Sequence, residues 1–232
     1  MINLHDYRYN ITSPHGENGM IAKVFDVLGV NKGYALEIGA NNGINRSNVN
    51  PLIKEGWTVL YVEGYEDNYN NLLSNMNQYD NVICEHKFVS LEKGNNLDEV
   101  LKKNNFPIDF DLFSLDIDGN DYHIWKSMKY KPKLVVIEYN RDLCESVVMN
   151  YDKDFEYEHK KLWGSSALAI TKLAKYKGYD LIGIRKDTLF YIRKDLNEGK
   201  FMLYNPKRIS SYSQNVKMHR LTEEEKKRYT YV

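Results

Sequence analysis

Apolar positions along the chain follow two alternating rhythms. In Met20–Leu28, Ile21, Val24, Phe25 and Leu28 recur at three- and four-residue spacing, which predicts an amphipathic helix. Short apolar runs at Tyr34–Ile38, Trp57–Val62, Val82–Val89, Asp111–Leu115 and Leu134–Glu138 read as strands. Asn48–Glu55, Tyr69–Met76, Leu97–Lys103 and Tyr122–Met128 fall between them with helical patterning. Ser165–Lys177 is a further amphipathic helix, stopped at Gly178. Asp180–Ile184 and Leu189–Ile192 flank a tight turn at Arg185–Thr188, the pattern of an antiparallel hairpin at a sheet edge. Arg141–Lys161 reads as a long loop rich in charge and tyrosine. Asn205–Val232 reads as a polar tail with a solvated helix at Glu223–Arg228.

Strands alternating with helices imply βαβ units and a mainly parallel, doubly wound α/β sheet of Rossmann-like type, closed by an antiparallel C-terminal hairpin. No repeat or Gly/Ser-rich linker interrupts the pattern, so residues 1–232 are expected to form one domain, with an N-terminal helical segment (1–32) and a polar tail (205–232). Ligands of such sheets bind beyond the carboxyl ends of the strands.

Composition narrows the function classes. At 42% hydrophobic residues, the chain has enough apolar side chains for a core and too many for a disordered protein. Thirty-two basic residues balance 32 acidic ones, so nucleic acid is an unlikely partner. Cys84 and Cys144 lack metal-ligand spacing and point to reduced thiols in the cytoplasm. Residues 1–19 lack the basic-then-apolar pattern of a signal peptide, and no apolar run approaches the roughly 20 residues of a membrane span. Nothing in the pattern indicates an oligomeric state.

The chemistry concentrates at the strand ends. The first predicted strand closes in Leu36-Glu37-Ile38-Gly39-Ala40-Asn41-Asn42-Gly43, where Gly39 and Gly43 let backbone approach a ligand and backbone amides can face a polar group. A tight connection with no ligand is the plainer reading. Glu37, two residues before the first glycine, suits the amino group of an amino-acid-like cofactor. Glu63 ends the second strand, near the roughly 20-residue spacing from Gly39 expected of a ribose-binding acid. A nicotinamide cofactor would satisfy the same two features.

The fourth strand runs into Asp116-Ile117-Asp118-Gly119-Asn120-Asp121-Tyr122-His123. Asp116 suits a general base, a metal ligand or an electrostatic partner of the cofactor. Asp118 and His123 are further catalytic candidates, and Asp121 is the natural N-cap of the helix that follows. No glutamate stands at the twelfth position, which excludes a calcium loop. Glu138 and Asn140 end the fifth strand. Glu138 is expected to face Asp116 across the sheet, where two carboxylates share a proton or hold a divalent cation.

With these residues in view, Glu37–Gly43 and Glu63 resemble the cofactor motifs of class I S-adenosylmethionine-dependent methyltransferases. More specifically, the chain resembles the FkbM-like family through Ser13–Gly19, Leu36–Gly43, Asp111–Asp121 with Tyr122 and Trp125, Val136–Asn140, and Trp163–Ser166 with Lys177–Tyr179. The resemblance implies a seven-stranded sheet, S-adenosylmethionine as methyl donor, and an oxygen acceptor on a sugar or surface-glycan precursor. It also implies that Glu37, Gly39, Ala40, Asn41, Gly43, Glu63, Ser90 and Asp116 line the cofactor site. Metal ligands of cation-dependent relatives map to Asp116, Glu138 and Asn140, for magnesium or manganese. Asn41 replaces the middle glycine of the commoner motif, which a left-handed Asn41 would accommodate.

The leading expectation is therefore O-methylation of a saccharide, with Asp116 or His123 as base, Asp118 and Glu138 beside them, and His15, Glu17 and Asn140 at the substrate. Other readings are a methyltransferase acting on an RNA 2′-hydroxyl or another small molecule, an NAD or nucleotide-sugar oxidoreductase, and a non-catalytic protein that binds a partner through Tyr151–Trp163.

Overall fold

The computed structural model describes residues 1–155, 163–208 and 219–232. Its centre is a seven-stranded sheet of β1 (Tyr34–Ile38), β2 (Thr58–Glu63), β3 (Val82–His86), β4 (Leu112–Leu115), β5 (Leu134–Glu138), β7 (Tyr179–Arg185) and β8 (Thr188–Arg193). The strand order is β3-β2-β1-β4-β5-β8-β7. Pairs among β1–β5 are parallel, and β8 runs antiparallel to both β5 and β7. This is the expected doubly wound sheet of seven strands with its C-terminal hairpin.

The strand interiors are apolar on both faces because helices cover both. One face packs Ala35, Val59, Tyr61, Leu112, Leu134 and Val136 against α1 (Glu17–Leu28), α2 (Asn50–Lys54) and α3 (Glu66–Met76). The other packs Leu36, Ile38, Leu60, Val62, Phe113, Leu115, Val135 and Ile137 against α4 (Leu97–Lys103), α5 (Asp121–Ser127) and α6 (Ala167–Lys177). Connections change face where β1 meets β4, so the switch point lies between those two strands.

Local signals explain most boundaries. Ser166 caps α6 by accepting from Ala169 N–H, and Gly178 ends it in the left-handed region. The α2 and β3 segments are shorter than their apolar patterning suggests. Asp121 is the first residue of α5 rather than its cap: its Oδ1 and Oδ2 accept from Ile117 and Gly119 N–H at 2.9 and 3.0 Å, clamping the loop after β4.

Two strands were not foreseen. β6 (Val147–Met149) lies inside the segment expected to be a loop, and β9 (Tyr229–Tyr231) follows a 3-10 turn at Glu225–Arg228 where a solvated helix was expected. They pair antiparallel and enclose a small core of Leu143, Val147, Met149, Leu221 and Tyr229. Three-residue strands carry too little periodicity to register in a sequence pattern. The tyrosine-rich stretch Tyr151–Trp163 falls partly on residues 156–162, outside the described residues. No described helix is long and apolar enough to cross a membrane.

Candidate functional site

Alternation along the strands fixes which acids reach the switch point. Tyr61, Glu37, Ser114 and Val136 share one face of the sheet, in register across β2, β1, β4 and β5. Leu115 pairs with Ile137, so the next rung brings Asp116 opposite Glu138, as expected. Glu63, Glu37, Asp116 and Glu138 thus form one polar ledge at the carboxyl ends of four adjacent strands.

The ledge borders a cleft of about 230 Å³ lined by Gly39, Asn41, Glu63, Tyr65, Phe88, Ser90, Asp116, Asp118, Tyr151 and Phe155, among others. An adjoining polar hollow is lined by Glu37, Ala40, Asn41, Arg46, Asn48, Asp116, Asp118 and Glu138. It continues into a narrow recess between Pro14, Glu17, Arg46, Asn48, Asp116, Glu138, Asp187 and Thr188. Gly39, Asn41, Asp116 and Asp118 border the first two spaces, and Asp116 all three.

The glycine loop has its own mechanical logic. A Cβ on Gly39 would lie 1.8 Å from the Asp116 carbonyl oxygen, so this glycine is required by the crossing of two strand ends. A Cβ on Gly43 would lie 2.6 Å from Leu72 Cδ1, so Gly43 admits α3 and does not line the cleft. Asn41 adopts φ 50°, the left-handed conformation its place in the motif requires. Its N–H donates to Glu63 Oε2 at 2.7 Å, and Tyr65 N–H donates to Oε1 at 2.8 Å. Glu63 is thereby held at the cleft wall with two N–H groups already on its carboxylate.

Glu37 is just as firmly committed. Its Oε2 accepts from Ser47 Oγ at 2.6 Å, and its Oε1 accepts from Asn48 N–H at 2.7 Å and from Ser114 Oγ at 3.3 Å. The residue is 5% exposed. Burial pushes its carboxyl up to about 7, against those stabilising hydrogen bonds. Glu37 therefore ties the loop at residues 47–48 to β1 and β4, where the sequence pointed to the cofactor's amino group.

Across the switch point the acids are differently placed. Asp116 opens onto the cleft floor, exposed on that side and crowded by Asp118 and Glu138 on the other. Burial, then the neighbouring Asp118, raise its carboxyl to about 6. Glu138 is pushed well above the ordinary carboxylate range by burial and then by Asp116, with which it shares a hydrogen bond. Its Oε2 is buried without a hydrogen-bond partner, as is Asn48 Oδ1 beside it. Asp118 stands at φ 60°, turned into the same cluster; one oxygen each from Asp116, Asp118 and Glu138 lies within 4.8 Å of the others. This is the set that could hold a metal.

Besides Gly43, the expected site residues Asn140 and His123 do not reach the cleft. Asn140 is fully buried; its Nδ2 donates to Trp163 O and its Oδ1 accepts from Asp142 N–H. It fastens the loop after β5, and Asp118 takes its place in the carboxylate cluster. His123 lies on α5 with its Nε2 at 2.7 Å from Met149 O and its ring against Tyr122 and Tyr151. Its imidazole anchors β6 and borders none of the three spaces. Near the N-terminus, Glu17 lies in the recess with its Oε2 accepting from His15 N–H at 2.7 Å, whereas His15 is outside it, its carbonyl accepting from Arg185 Nε.

Three residues escaped sequence reasoning. Asn18 Oδ1 accepts from Ile11, Thr12 and Ser13 N–H, and its Nδ2 donates to Ser47 and Asn48 carbonyls, locking the N-terminal loop over the recess. Asp187 enters from the β7–β8 turn and Arg46 from the loop after β1. Turn positions such as Arg46 and Asp187, and a polar residue at a helix start such as Asn18, carry no periodicity, so only the fold shows that these side chains converge.

No protein-family model matches the sequence, and no curated protein matches it. Solved structures of similar fold include the N-terminal domain of EvdMO1 with SAH bound: 12% identity, TM-score 0.48, covering 76% of this chain and 78% of that one. A SAM-dependent methyltransferase from Aquifex aeolicus is similar at 11% identity and TM-score 0.44, over 75% of this chain and 89% of that one. A TehB-like SAM-dependent methyltransferase from Corynebacterium glutamicum is similar at 12% identity and TM-score 0.42, over 83% and 93%.

Proposed function

We propose that the cleft binds S-adenosylmethionine and that the protein transfers the methyl group to a hydroxyl of a saccharide or surface-glycan precursor. One juxtaposition carries this reading: the cleft at the switch point leads from a ribose-suited acid, Glu63, to a floor where Asp116 and Glu138 meet. Glu63 keeps lone pairs beyond the two N–H groups it accepts, enough to take ribose hydroxyls. Phe88, 62% exposed on the cleft wall, offers an apolar face to a purine, next to Ser90. Bound there, S-adenosylmethionine supplies an electrophilic methyl on a sulfonium sulfur.

The chain's own part is orientation and proton removal. Asp116, with its carboxyl raised to about 6, is poised as a base near neutral pH. Burial and then Asp116 push the Glu138 carboxyl well above the ordinary range, which disfavours two full charges side by side. His123 has no part in this chemistry. A methyl-transfer assay against neutral sugars and nucleotide sugars tests the reading. Turnover should appear with a hydroxylated acceptor and vanish in Asp116→Asn, while affinity for S-adenosylhomocysteine is kept; near-normal turnover in that variant contradicts the base.

A second reading of the floor has its own observation. Three carboxylate oxygens within 4.8 Å, with Glu138 Oε2 unpartnered, suit a divalent cation such as magnesium or manganese on Asp116, Asp118 and Glu138. Such a cation would neutralise the crowded acids and orient a hydroxyl. Turnover that survives chelation contradicts it. The RNA reading is disfavoured by these acids, because a 2′-hydroxyl arrives flanked by phosphates.

A further inference from the structure

Besides Glu37, the hollow and recess around Asp116 bring together five carboxyl groups from four separate places in the fold. Glu17 comes from the start of α1, Asp116 and Asp118 from the end of β4, Glu138 from the end of β5, and Asp187 from the β7–β8 turn. Arg46 is the guanidinium among the lining residues. Even a bound divalent cation would leave the carboxylates in excess. Independently of charge, the two buried side-chain atoms without a partner here, Glu138 Oε2 and Asn48 Oδ1, are both acceptors. An unpartnered buried acceptor is costly, so an occupant that donates hydrogen bonds is favoured. Glu17 is 2% exposed and fixed by His15 N–H, so it cannot swing away to admit a negative group.

Resting on the methyltransferase reading, we propose that this recess is a charge filter: it admits an acceptor ring bearing hydroxyl or amino donors and refuses phosphorylated or carboxylated ones. Glu17 and Asp187 are the residues that extend the negative field past the base. The reacting sugar would then enter unphosphorylated at the ring that receives the methyl group. Any phosphate of a larger precursor would have to stay outside the recess.

Matched probes test this in protein saturated with S-adenosylhomocysteine: glucosamine, glucose and glucose 6-phosphate, followed by ligand-detected NMR titration. We expect glucosamine to bind at least as tightly as glucose, and glucose 6-phosphate at least about tenfold more weakly, with the gap narrowing at high salt as screening grows. In Glu17→Gln/Asp187→Asn the penalty on glucose 6-phosphate should shrink several-fold, with the thermal midpoint and S-adenosylhomocysteine affinity reporting that the variant is folded. Glucose 6-phosphate binding as well as glucose overturns the filter, as does a penalty indifferent to salt. Failure of all three sugars overturns the saccharide class. Failure of S-adenosylhomocysteine to bind overturns the methyltransferase reading instead.

Discussion

Two carboxylates near strand ends on either side of β4, Glu37 on β1 and Glu138 on β5, look alike in sequence: each lies in the last two residues of an apolar strand. The fold uses them in opposite ways. Glu37 accepts three hydrogen bonds from Ser47, Asn48 and Ser114, and its work is to hold a loop. Glu138 leaves Oε2 buried and unpartnered against Asp116, an arrangement that costs stability until something arrives to satisfy it. A strand-end acid thus builds the site or waits for a ligand, and its hydrogen-bond inventory separates the two. Unsatisfied, crowded acids are what functional sites retain at a cost to the fold.

Substitutions at the two places should break this symmetry in different assays. The largest effect is expected on the ligand-facing side: Asp116→Asn should lower methyl transfer by about 10²–10⁴-fold, the range of a lost general base. Its urea midpoint should stay at or above that of the parent, because one charge of a crowded carboxylate cluster has been removed. Next is backbone crossing between the two halves. Gly39→Ala places a Cβ against the Asp116 carbonyl at positive φ and should cost at least about 2–3 kcal/mol by urea denaturation. On the building side, Glu37→Ala strands buried donors at Ser47 and Asn48 and should cost about 2–3 kcal/mol. Glu138→Gln, judged by the same denaturation, should be neutral or stabilising by up to about 1 kcal/mol. A Glu138→Gln loss as large as that of Glu37→Ala would erase the distinction.

The pH dependence sharpens the comparison further. Glu37 and Asp121, both buried, are raised to about 7, chiefly by burial. The folded protein therefore holds protons that the unfolded chain releases near pH 4, so stability should fall as pH rises from about 4 to about 7. Unfolding free energies from urea denaturation at pH 5 and pH 8 should differ in that sense, by on the order of 2 kcal/mol for the buried acids. In Glu138→Gln the slope should flatten, because one acid with a raised pKa is gone.

Much of the fold was legible because long apolar runs in βαβ order leave few alternatives: β1, β5 and α4 begin and end where their patterns do. Asn41's left-handed backbone and the Asp116–Glu138 facing pair also follow from position alone. What the pattern misses depends on tertiary contact. Strands β6 and β9 have each other as strand partners, and Ser165 and Ser166 hold β6 in place. Asn140 and His123 carry site-like chemistry yet are spent on loop carbonyls and amides, and no spacing rule distinguishes a residue spent that way from a free one. Arg46 and Asp187 sit in turns, and Asn18 in the first turn of α1, where the contacts they make are set by the rest of the molecule.

The central claim is that the cleft between Glu63 and Asp116 is built for S-adenosylmethionine, and isothermal titration calorimetry tests it most directly. S-adenosylhomocysteine and NAD would be titrated into the same protein, and into Glu63→Ala. We expect saturable one-to-one binding of S-adenosylhomocysteine, weakened at least about tenfold by Glu63→Ala, and no heat from NAD. Binding of NAD with none of S-adenosylhomocysteine would contradict the account.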